Sequence, residues 1–280
     1  MPEHSRLQKL FLVLVLLAGL FPFVYFLWVQ IGFAQEDPAT VSVTPVQEPN
    51  FDRYIENVAF GVGEKLFFDI NYGFINAGSA TMEVERLIEY QGRPCYQIVT
   101  HARSNSFFSN FYRVEDRIES IVDALGVFSW RFSKQLSEGK YRADNTYSFG
   151  QRENVVYYDG DTVDVGAYVQ DALSTLYYVR TQPLEVGKSI YVDNFVDGKK
   201  YHLEVQVLKK ETISVDAGTF DCIVVEPLSE NVGVFKHEGR LKVWLTDDYI
   251  KIPVLMKSKV VVGSISAELT DFQLGEIFDY

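Results

Sequence analysis

The sequence predicts a mainly β protein: one large curved antiparallel sheet or half-barrel of about twelve strands, built from two similar halves, with one connecting helix near residues 169–181. Aromatic residues make up 15% of the chain, and flat or β-branched side chains favour strands. From Gly61 onward apolar and polar residues alternate, and single glycines recur in the turns between the alternating stretches. This period of two with regular turns is typical of an antiparallel meander. A sheet of about a dozen strands usually curls or closes, which predicts the curvature.

The amino end predicts export. Arg6 and Lys9 precede an apolar run, residues 10–31, without a charged residue, and the small residues of the stretch GFAQ follow. These are the features of a secretory signal peptide cleaved before Gln35. The run is also long enough to cross a bilayer as a retained anchor, which takes about 20 residues. Both alternatives stay open, and both place the rest of the chain outside the cytoplasm, because the basic residues hold the short end inside.

Three segments follow from this pattern. Residues 1–34 are predicted to be the signal peptide or membrane anchor, residues 35–57 a tether rich in proline and polar residues, and residues 58–280 a single β-rich domain. The net charge of −12 and the sequence pI of about 4.8 exclude nucleic acid as an expected partner, because binding to phosphates draws on clustered Lys and Arg.

The alternating stretches fall into two series that resemble each other. The matching positions are Gly63 and Gly187, Gly92 and Gly218, Gly139 and Gly263, and the pairs Glu83-Val84 and Glu204-Val205. We interpret them as an internal repeat of about six strands, with half-repeats at residues 61–150 and 186–274 and a connector at residues 151–185.

The connector contains the stretch VQDALSTLYYVR, residues 169–180, whose apolar residues recur at helical spacing. This helix is predicted to cover or plug the curved sheet. Leu173 and Leu176 are expected to face the sheet, and Tyr177 and Tyr178 are expected to border its mouth. These four side chains are the candidate ligand-binding residues of a helical lid.

No residue set specifies a reaction, so no catalytic residue, metal or cofactor is predicted. Ser174 lies in the middle of the predicted helix, without the strained turn that exposes a serine nucleophile. The carboxylates Asp116, Glu119, Asp247 and Asp248 could be drawn as acid–base pairs. For Asp116, cross-strand ion pairing with the arginines beside it is the simpler interpretation.

Two cysteines, Cys95 and Cys222, fall at matching places in the two proposed halves. In an oxidising compartment they could form a disulfide that restricts the unfolded chain. Equivalent positions in two related halves meet only near the axis that relates them, so the other alternative is two separately buried thiols. Both alternatives stay open at this point.

Six blocks of the sequence resemble a known family. They are GEKLFFDINYGFINAGSATMEV, YRVEDRIES, EGKYRADNTYSF, VQDALSTLYYVRTQPLEVGKSI, AGTFDCIVVEP and IPVLMKSKVVVGSISAELTDF, in this order over residues 58–272. Together they resemble the bacterial family catalogued as domain of unknown function 3108. The resemblance implies an envelope protein with an export signal, from a Gram-negative bacterium, and it transfers no catalytic residue.

The expected function is that of a non-catalytic protein of the cell envelope, in the periplasm or anchored to a membrane and facing the periplasm. It either has a structural or assembly role toward another envelope protein, or binds a lipid or other amphiphile in its curved sheet. The alternative is an envelope hydrolase that acts on glycans with paired carboxylates.

Overall fold

The computed structural model describes residues 53–229, 241–259 and 263–278. The predicted signal peptide or anchor and most of the predicted tether lie outside the described residues. Arg53, inside the segment predicted as a tether, contacts the domain, because its guanidinium donates to the carbonyl of Val127 at 3.0 Å. Neither helix in the described part of the chain is long and apolar enough to cross a membrane.

Fourteen antiparallel strands of the described residues form one sheet. The first series comprises β1 (Lys65–Tyr72), β2 (Ile75–Tyr90), β3 (Arg93–Ser104), β4 (Glu115–Asp123), β5 (Ser129–Glu138), β6 (Tyr141–Gly150), β7 (Val155–Tyr158) and β8 (Asp161–Asp164). The second comprises β9 (Ser189–Val196), β10 (Lys199–Val215), β11 (Gly218–Ser229), β12 (Leu241–Thr246), β13 (Pro253–Lys259) and β14 (Ser264–Gln273). Two helices are described, α1 (Ser106–Ser109) between β3 and β4, and α2 (Ala172–Thr181) between β8 and β9.

The predicted fold class is confirmed, with fourteen strands in place of about twelve and with α2 inside the predicted range 169–181. Apolar residues alternate with polar ones along the strands, and the apolar side chains face the core as expected. In β1, for example, Leu66, Phe68 and Ile70 are buried, and the residues between them are half-buried. Successive strand residues point to opposite faces, so each strand gives one apolar row to the core.

The two halves of the sheet have the same strand order. From one edge to the other the order is β8-β7-β6-β5-β4-β3-β2-β1-β14-β13-β12-β11-β10-β9, so β1–β6 and β9–β14 are two meanders that follow each other around the sheet. The pairing of β2 with β3 shifts register between Val84 and Arg86, and that of β10 with β11 between Val207 and Lys209. Such bulges bend a strand and increase its twist.

Hydrogen bonds at the start of each half identify the matching residues. The amide of Gly63 donates to the carbonyl of Val84 at 2.8 Å, and that of Gly187 donates to the carbonyl of Val207 at 2.9 Å. Both glycines have a φ of 85°. Val84 therefore corresponds to Val207, two residues beyond the Val205 of the sequence match. Descent of the two halves from one duplicated unit stays a prediction.

The sheet curls until its β9 side faces β5 and β6. The ring of Phe195 in β9 lies 6.1 Å from the ring of Tyr147 in β6, and Lys134 of β5 forms an ion pair with Asp197, just after β9. The concave interior is filled by one continuous apolar core that contains side chains of both halves and of α2.

Helix α2 lies across one end of this curled sheet and bridges the two halves. At its amino end, Gln170 donates to the carbonyl of Val127 in the β4–β5 turn at 2.6 Å. At its carboxyl end, Arg180 donates to the carbonyl of Ile250 in the β12–β13 turn at 3.3 Å. These turns match in the two meanders, so α2 closes one end of the sheet, here called the helix end. The opposite end, with the β1–β2, β3–β4, β5–β6 and β9–β10 connections, is called the distal end.

Candidate functional site

The distal end carries a group of exposed apolar side chains, here called the rim patch. It consists of Phe74 and Ile75 in the β1–β2 hairpin and of Phe107 and Phe111 in the β3–β4 connection. Their exposed fractions are 106%, 58%, 63% and 68%. Single exposed apolar residues are ordinary on protein surfaces, but neighbouring ones at one end indicate an interaction surface.

The β3–β4 connection holds its aromatic residues in place through local capping. The Asn105 side chain accepts a hydrogen bond from the amide of Phe108 at 3.0 Å and so caps α1. The same side chain donates to the carbonyl of Asn76 at 2.7 Å, which joins this connection to the β1–β2 hairpin. Phe108 is buried in the core, while the rings of Phe107 and Phe111 lie 5.5 Å apart on the outside. The exposure of these rings therefore follows from a defined local structure.

Exposed basic side chains outnumber acidic ones in the described distal connections of a protein that is acidic as a whole. The described distal connections, residues 103–115, 138–142, 158–161 and 197–200, carry the exposed basic residues Arg103, Arg113, Lys140, Arg142, Lys199 and Lys200 and the exposed acidic residues Glu115, Asp159, Asp161 and Asp197. The chain as a whole has a net charge of −12. The distal end, which carries the rim patch, is thus locally basic.

A buried carboxyl pair lies beneath the β3–β4 connection. Asp116 at the start of β4 and Glu138 at the end of β5 are 3% and 2% exposed. Burial raises the pKa of Asp116 to about 6, and burial together with the Asp116 charge raises the pKa of Glu138 to about 8. Two adjacent carboxylates in a poorly solvated place do not ionise together readily, so the pair retains a proton near neutral pH.

The predicted ion pairing of Asp116 with its neighbouring arginines is wrong. Arg113 pairs with Glu115 at 2.7 Å and Arg117 pairs with Glu119 at 2.6 Å, whereas one oxygen of Asp116 accepts from the amide of Ser137 at 2.8 Å. Arg113 and Arg117 are three residues and one residue away from Asp116, and strand residues at odd separations point to opposite faces.

The other candidate carboxylates are held by structural contacts. Glu119 accepts hydrogen bonds from Gln97 and Arg117, which lower its pKa although burial opposes this. Asp247 pairs with Lys210 at 2.6 Å, and Asp248 accepts from the backbone amides of the β12–β13 turn. The two aspartates lie at the helix end, on the other side of the core from Asp116.

An open cavity of about 360 Å³ lies at the distal end beside the carboxyl pair. Its lining residues are Glu115, Gln135, Leu136, Ser137, Arg142, Ala143 and Asp144. Neither Asp116 nor Glu138 lines it. A molecule in this cavity would therefore meet exposed polar side chains and not the proton of the buried pair.

The four candidate lid residues belong to the packed helix end. Leu173 is 5% exposed and Tyr177 is fully buried, whereas Leu176 and Tyr178 are half-buried against the core. The ring of Tyr177 lies 4.8 Å from that of Phe60. Tyr177 thus lies in the core and does not border a mouth as the sequence predicted. Ligand binding by these residues stays a prediction.

The residues around Ser174 explain its place in the helix. The Asp171 carboxylate accepts from the amides of Leu173 and Ser174, and the Ser174 hydroxyl accepts from the Asp171 amide at 2.9 Å. This is a capping box. The second Asp171 oxygen accepts from the hydroxyls of Ser120 and Ser129, which fixes the helix to β4 and β5.

Cys95 and Cys222 are both buried free thiols, so the structure contains the second of the two predicted alternatives and no disulfide between them. Cys95 packs in a cluster with Trp130, and Cys222 in a separate cluster with Trp244. Each cysteine alternates with residues of the main core, so both thiols lie on the outer face of the sheet, in different halves. Burial raises the pKa of each thiol to about 12.

The rim patch and Glu138 did not enter the sequence predictions. Two stretches, YGFINAG and NSFFSNFY, did indicate the rim patch. They place large apolar residues at turn positions, where polar residues are usual. Glu138 had no such indication, since its partner Asp116 is brought close only by the pairing of β4 with β5.

These features define a β-barrel-like antiparallel protein with a helix across one end. The chain belongs to the family described as Protein of unknown function (DUF3108), which matches residues 68–270. The family resemblance of the six sequence blocks is thereby confirmed. No curated protein matches the chain.

Three solved structures are similar to the chain at low sequence identity, and the first of them supports a shared fold. A β-barrel-like protein of the domain of unknown function DUF1849 from Brucella abortus has a TM-score of 0.53 and 12% identity, over 78% of this chain and 100% of that chain. A candidate lipoprotein from Parabacteroides distasonis gives 0.35 and 11%, over 79% and 100%. A candidate exported protein with a YmcC-like fold from Bacteroides fragilis gives 0.30 and 14%, over 79% and 99%. At 12% identity, the similarity to the Brucella abortus protein shows a shared fold and says nothing about a shared function.

Proposed function

We propose that this chain is an exported, non-catalytic protein of the cell envelope, which acts by binding another envelope component through its distal end. The observation that carries this proposal is the rim patch: four large apolar side chains remain exposed at one end of a sheet whose interior is filled. Exposed apolar groups of this kind lose contact with water when a partner covers them.

Export is supported by the amino-terminal sequence. Basic residues, the apolar run of residues 10–31 and the small residues before Gln35 fit a signal peptide or an anchor. Both place the β domain in the periplasm or on a membrane facing it.

A filled interior favours an assembly role over carriage of a ligand inside the sheet. The side chains that would surround such a ligand, among them Phe68, Tyr96 and Tyr177, are less than 2% exposed and pack on one another. The hydrolase alternative loses support because Asp116 and Glu138, which have raised pKa values, do not reach the open cavity.

The test combines localisation with site-specific cross-linking in cells. A photoreactive phenylalanine analogue is placed at position 107 in the rim patch or, as the matched control, at position 249, where Tyr249 is 65% exposed at the helix end. We expect the chain in the periplasmic or membrane fraction, with cross-linked envelope species from position 107 and not from position 249. Cytoplasmic location, or equal cross-linking from both positions, would contradict the proposal.

A further inference from the structure

We infer that the envelope component bound by the distal end is an anionic lipid surface, an inference that rests on the proposed function. Among the described residues, the side chains of Phe74, Phe107 and Phe111 remain mostly exposed, at 106%, 63% and 68%. Phenylalanine rings with basic neighbours are the combination that binds the interface of an anionic membrane, where the rings enter the acyl region and the cations remain among the headgroups.

The placement of charge supports a lipid surface over a second copy of the chain. Arg103 and Arg113 are exposed on either side of the segment that carries Phe107 and Phe111. Two copies that met through their distal ends would bring these like charges together, which opposes association. An anionic bilayer attracts the same residues.

The ends of the sheet differ in charge, which orients the domain. The helix end exposes acidic residues such as Asp216, Asp221, Asp247 and Asp248, and these are repelled by anionic lipid. The distal end therefore faces the bilayer, and the field of the whole protein favours one approach direction.

The segment that precedes the domain, residues 35–52, is long enough to allow this orientation. The described chain begins at Arg53 at the helix end. Residues 35–52 can span at most about 60 Å when extended, whereas a twelve-residue strand such as β3 is about 40 Å long. The segment before Arg53 is thus long enough for the distal end to face the bilayer that holds or received the amino terminus.

The experiment is flotation of the chain from residue 35 onward, which contains every described residue, with two kinds of vesicle. One is pure phosphatidylcholine, and the other is phosphatidylcholine mixed with phosphatidylglycerol in equal parts. We expect binding to the anionic vesicles, weaker binding to the neutral ones, and a decrease of binding as salt rises above about 0.15 M, where the Debye length is about 8 Å.

Two pairs of variants separate the apolar and the charged contributions. F107S/F111S is compared with Y249S at the helix end, and R103E/R113E is compared with K188E/K210E, which changes the net charge equally through exposed lysines of the helix end. We expect each distal variant to bind anionic vesicles at least about ten-fold more weakly, because it loses buried apolar area or electrostatic attraction. The controls should bind as the unchanged protein does. Equal melting temperatures show that the variants are folded.

Three outcomes would overturn the lipid inference. They are equal binding to both kinds of vesicle, no vesicle binding at all, and unchanged binding by F107S/F111S. If a protein is instead cross-linked from position 107, the proposed function stands with a protein partner. If light scattering shows a dimer that F107S/F111S disrupts, the distal end is a contact between copies. A chain that stays in the cytoplasm contradicts the proposed function itself.

Discussion

The guanidinium of Arg180 forms a bidentate ion pair with the carboxylate of Glu64, and both side chains are buried. One nitrogen donates to Oε1 at 2.7 Å and the other to Oε2 at 2.6 Å, at exposed fractions of 0% and 1%. Arg180 also donates to the carbonyls of Ala59 and Ile250. The last turn of α2 is thereby joined to the segment before β1 and to the second half of the sheet.

Removal of one member of this pair is expected to destabilise the domain. Glu64→Gln leaves a buried guanidinium without its counter-charge, and we expect the free energy of unfolding to fall by about 3 kcal/mol or more. Urea denaturation followed by circular dichroism measures the change. The matched control is Glu185→Gln, which removes an exposed ion pair with Lys188 and should cost less than about 1 kcal/mol. Equal effects of the two substitutions would show that the buried pair has no special role.

The amino end of α2 gives a second stability prediction. Asp171 caps the helix and accepts from the hydroxyls of Ser120 and Ser129, so Asp171→Ala removes the cap and leaves buried hydroxyls without their acceptor. We expect a loss of about 2 to 4 kcal/mol in the free energy of unfolding. Asp171→Asn retains an acceptor oxygen and should lose less. A melting temperature unchanged by Asp171→Ala would contradict the role of this contact in fixing the helix.

Burial of Leu173 predicts the result of placing a charge there. Its side chain is 5% exposed in the main core, so Leu173→Asp brings an unpaired carboxylate into apolar surroundings, at a cost of several kcal/mol. We expect this variant to unfold or to lose its cooperative transition. Tyr178→Asp changes a half-buried residue of the same helix and should be tolerated better. The packing of α2 on the sheet would be in doubt if both variants melted as the unchanged protein does.

The sequence predicted the strands well because each strand has one face in the core, and this requires alternating side chains such as Leu66, Phe68 and Ile70 in β1. It placed the repeat match two residues off in β10, at Val205. The reason is that an alternating strand repeats its polar–apolar pattern every two residues, so the shared Glu-Val pair fitted Glu204-Val205 as well as the true position, which only the strand pairing identifies.

The candidate site was less predictable because it depends on tertiary neighbours. Tyr177 has the helical position of a residue at the edge of a lid, yet Phe60, from a segment before the first strand, covers it. Asp116 meets Glu138 only through the register of the β4–β5 hairpin. Both contacts join residues that are far apart in the sequence, so the spacing of apolar residues along one element could not predict them.

The two cysteines are expected to be unreactive in the folded protein. Burial raises the pKa of Cys95 and Cys222 to about 12, and the thiolate, which is the reactive species, is therefore scarce at pH 8, at roughly one part in ten thousand. A thiol reagent should label both cysteines in denaturant and neither in buffer. Reduction should leave the mass unchanged, whereas a gain of two hydrogens would indicate a disulfide.

The carboxyl pair predicts how stability depends on pH. Because the pKa values of Asp116 and Glu138 are raised to about 6 and about 8, the folded state binds more protons than the unfolded state between about pH 4 and pH 8. Stability from this pair is present at the acid side of that range and is lost as the pH rises through it. The positive charges of Arg142 and Lys134 lower the pKa values of Asp116 and Glu138 and so reduce the effect, although burial outweighs them. Burial raises the pKa values of the neighbouring Tyr112 and Tyr141, so both stay uncharged in this range.

Glu138→Gln isolates the contribution of the pair, because the amide replaces the protonated carboxyl without a charge. We expect the variant to melt at a higher temperature than the unchanged protein at pH 8.5 and at about the same temperature at pH 5, with a gain on the order of 2 kcal/mol at the higher pH. Glu115→Gln, at an exposed neighbour paired with Arg113, should leave the pH dependence as it is. Parallel melting curves for Glu138→Gln and the unchanged protein across this range would show that Glu138 is ionised in the folded state at neutral pH.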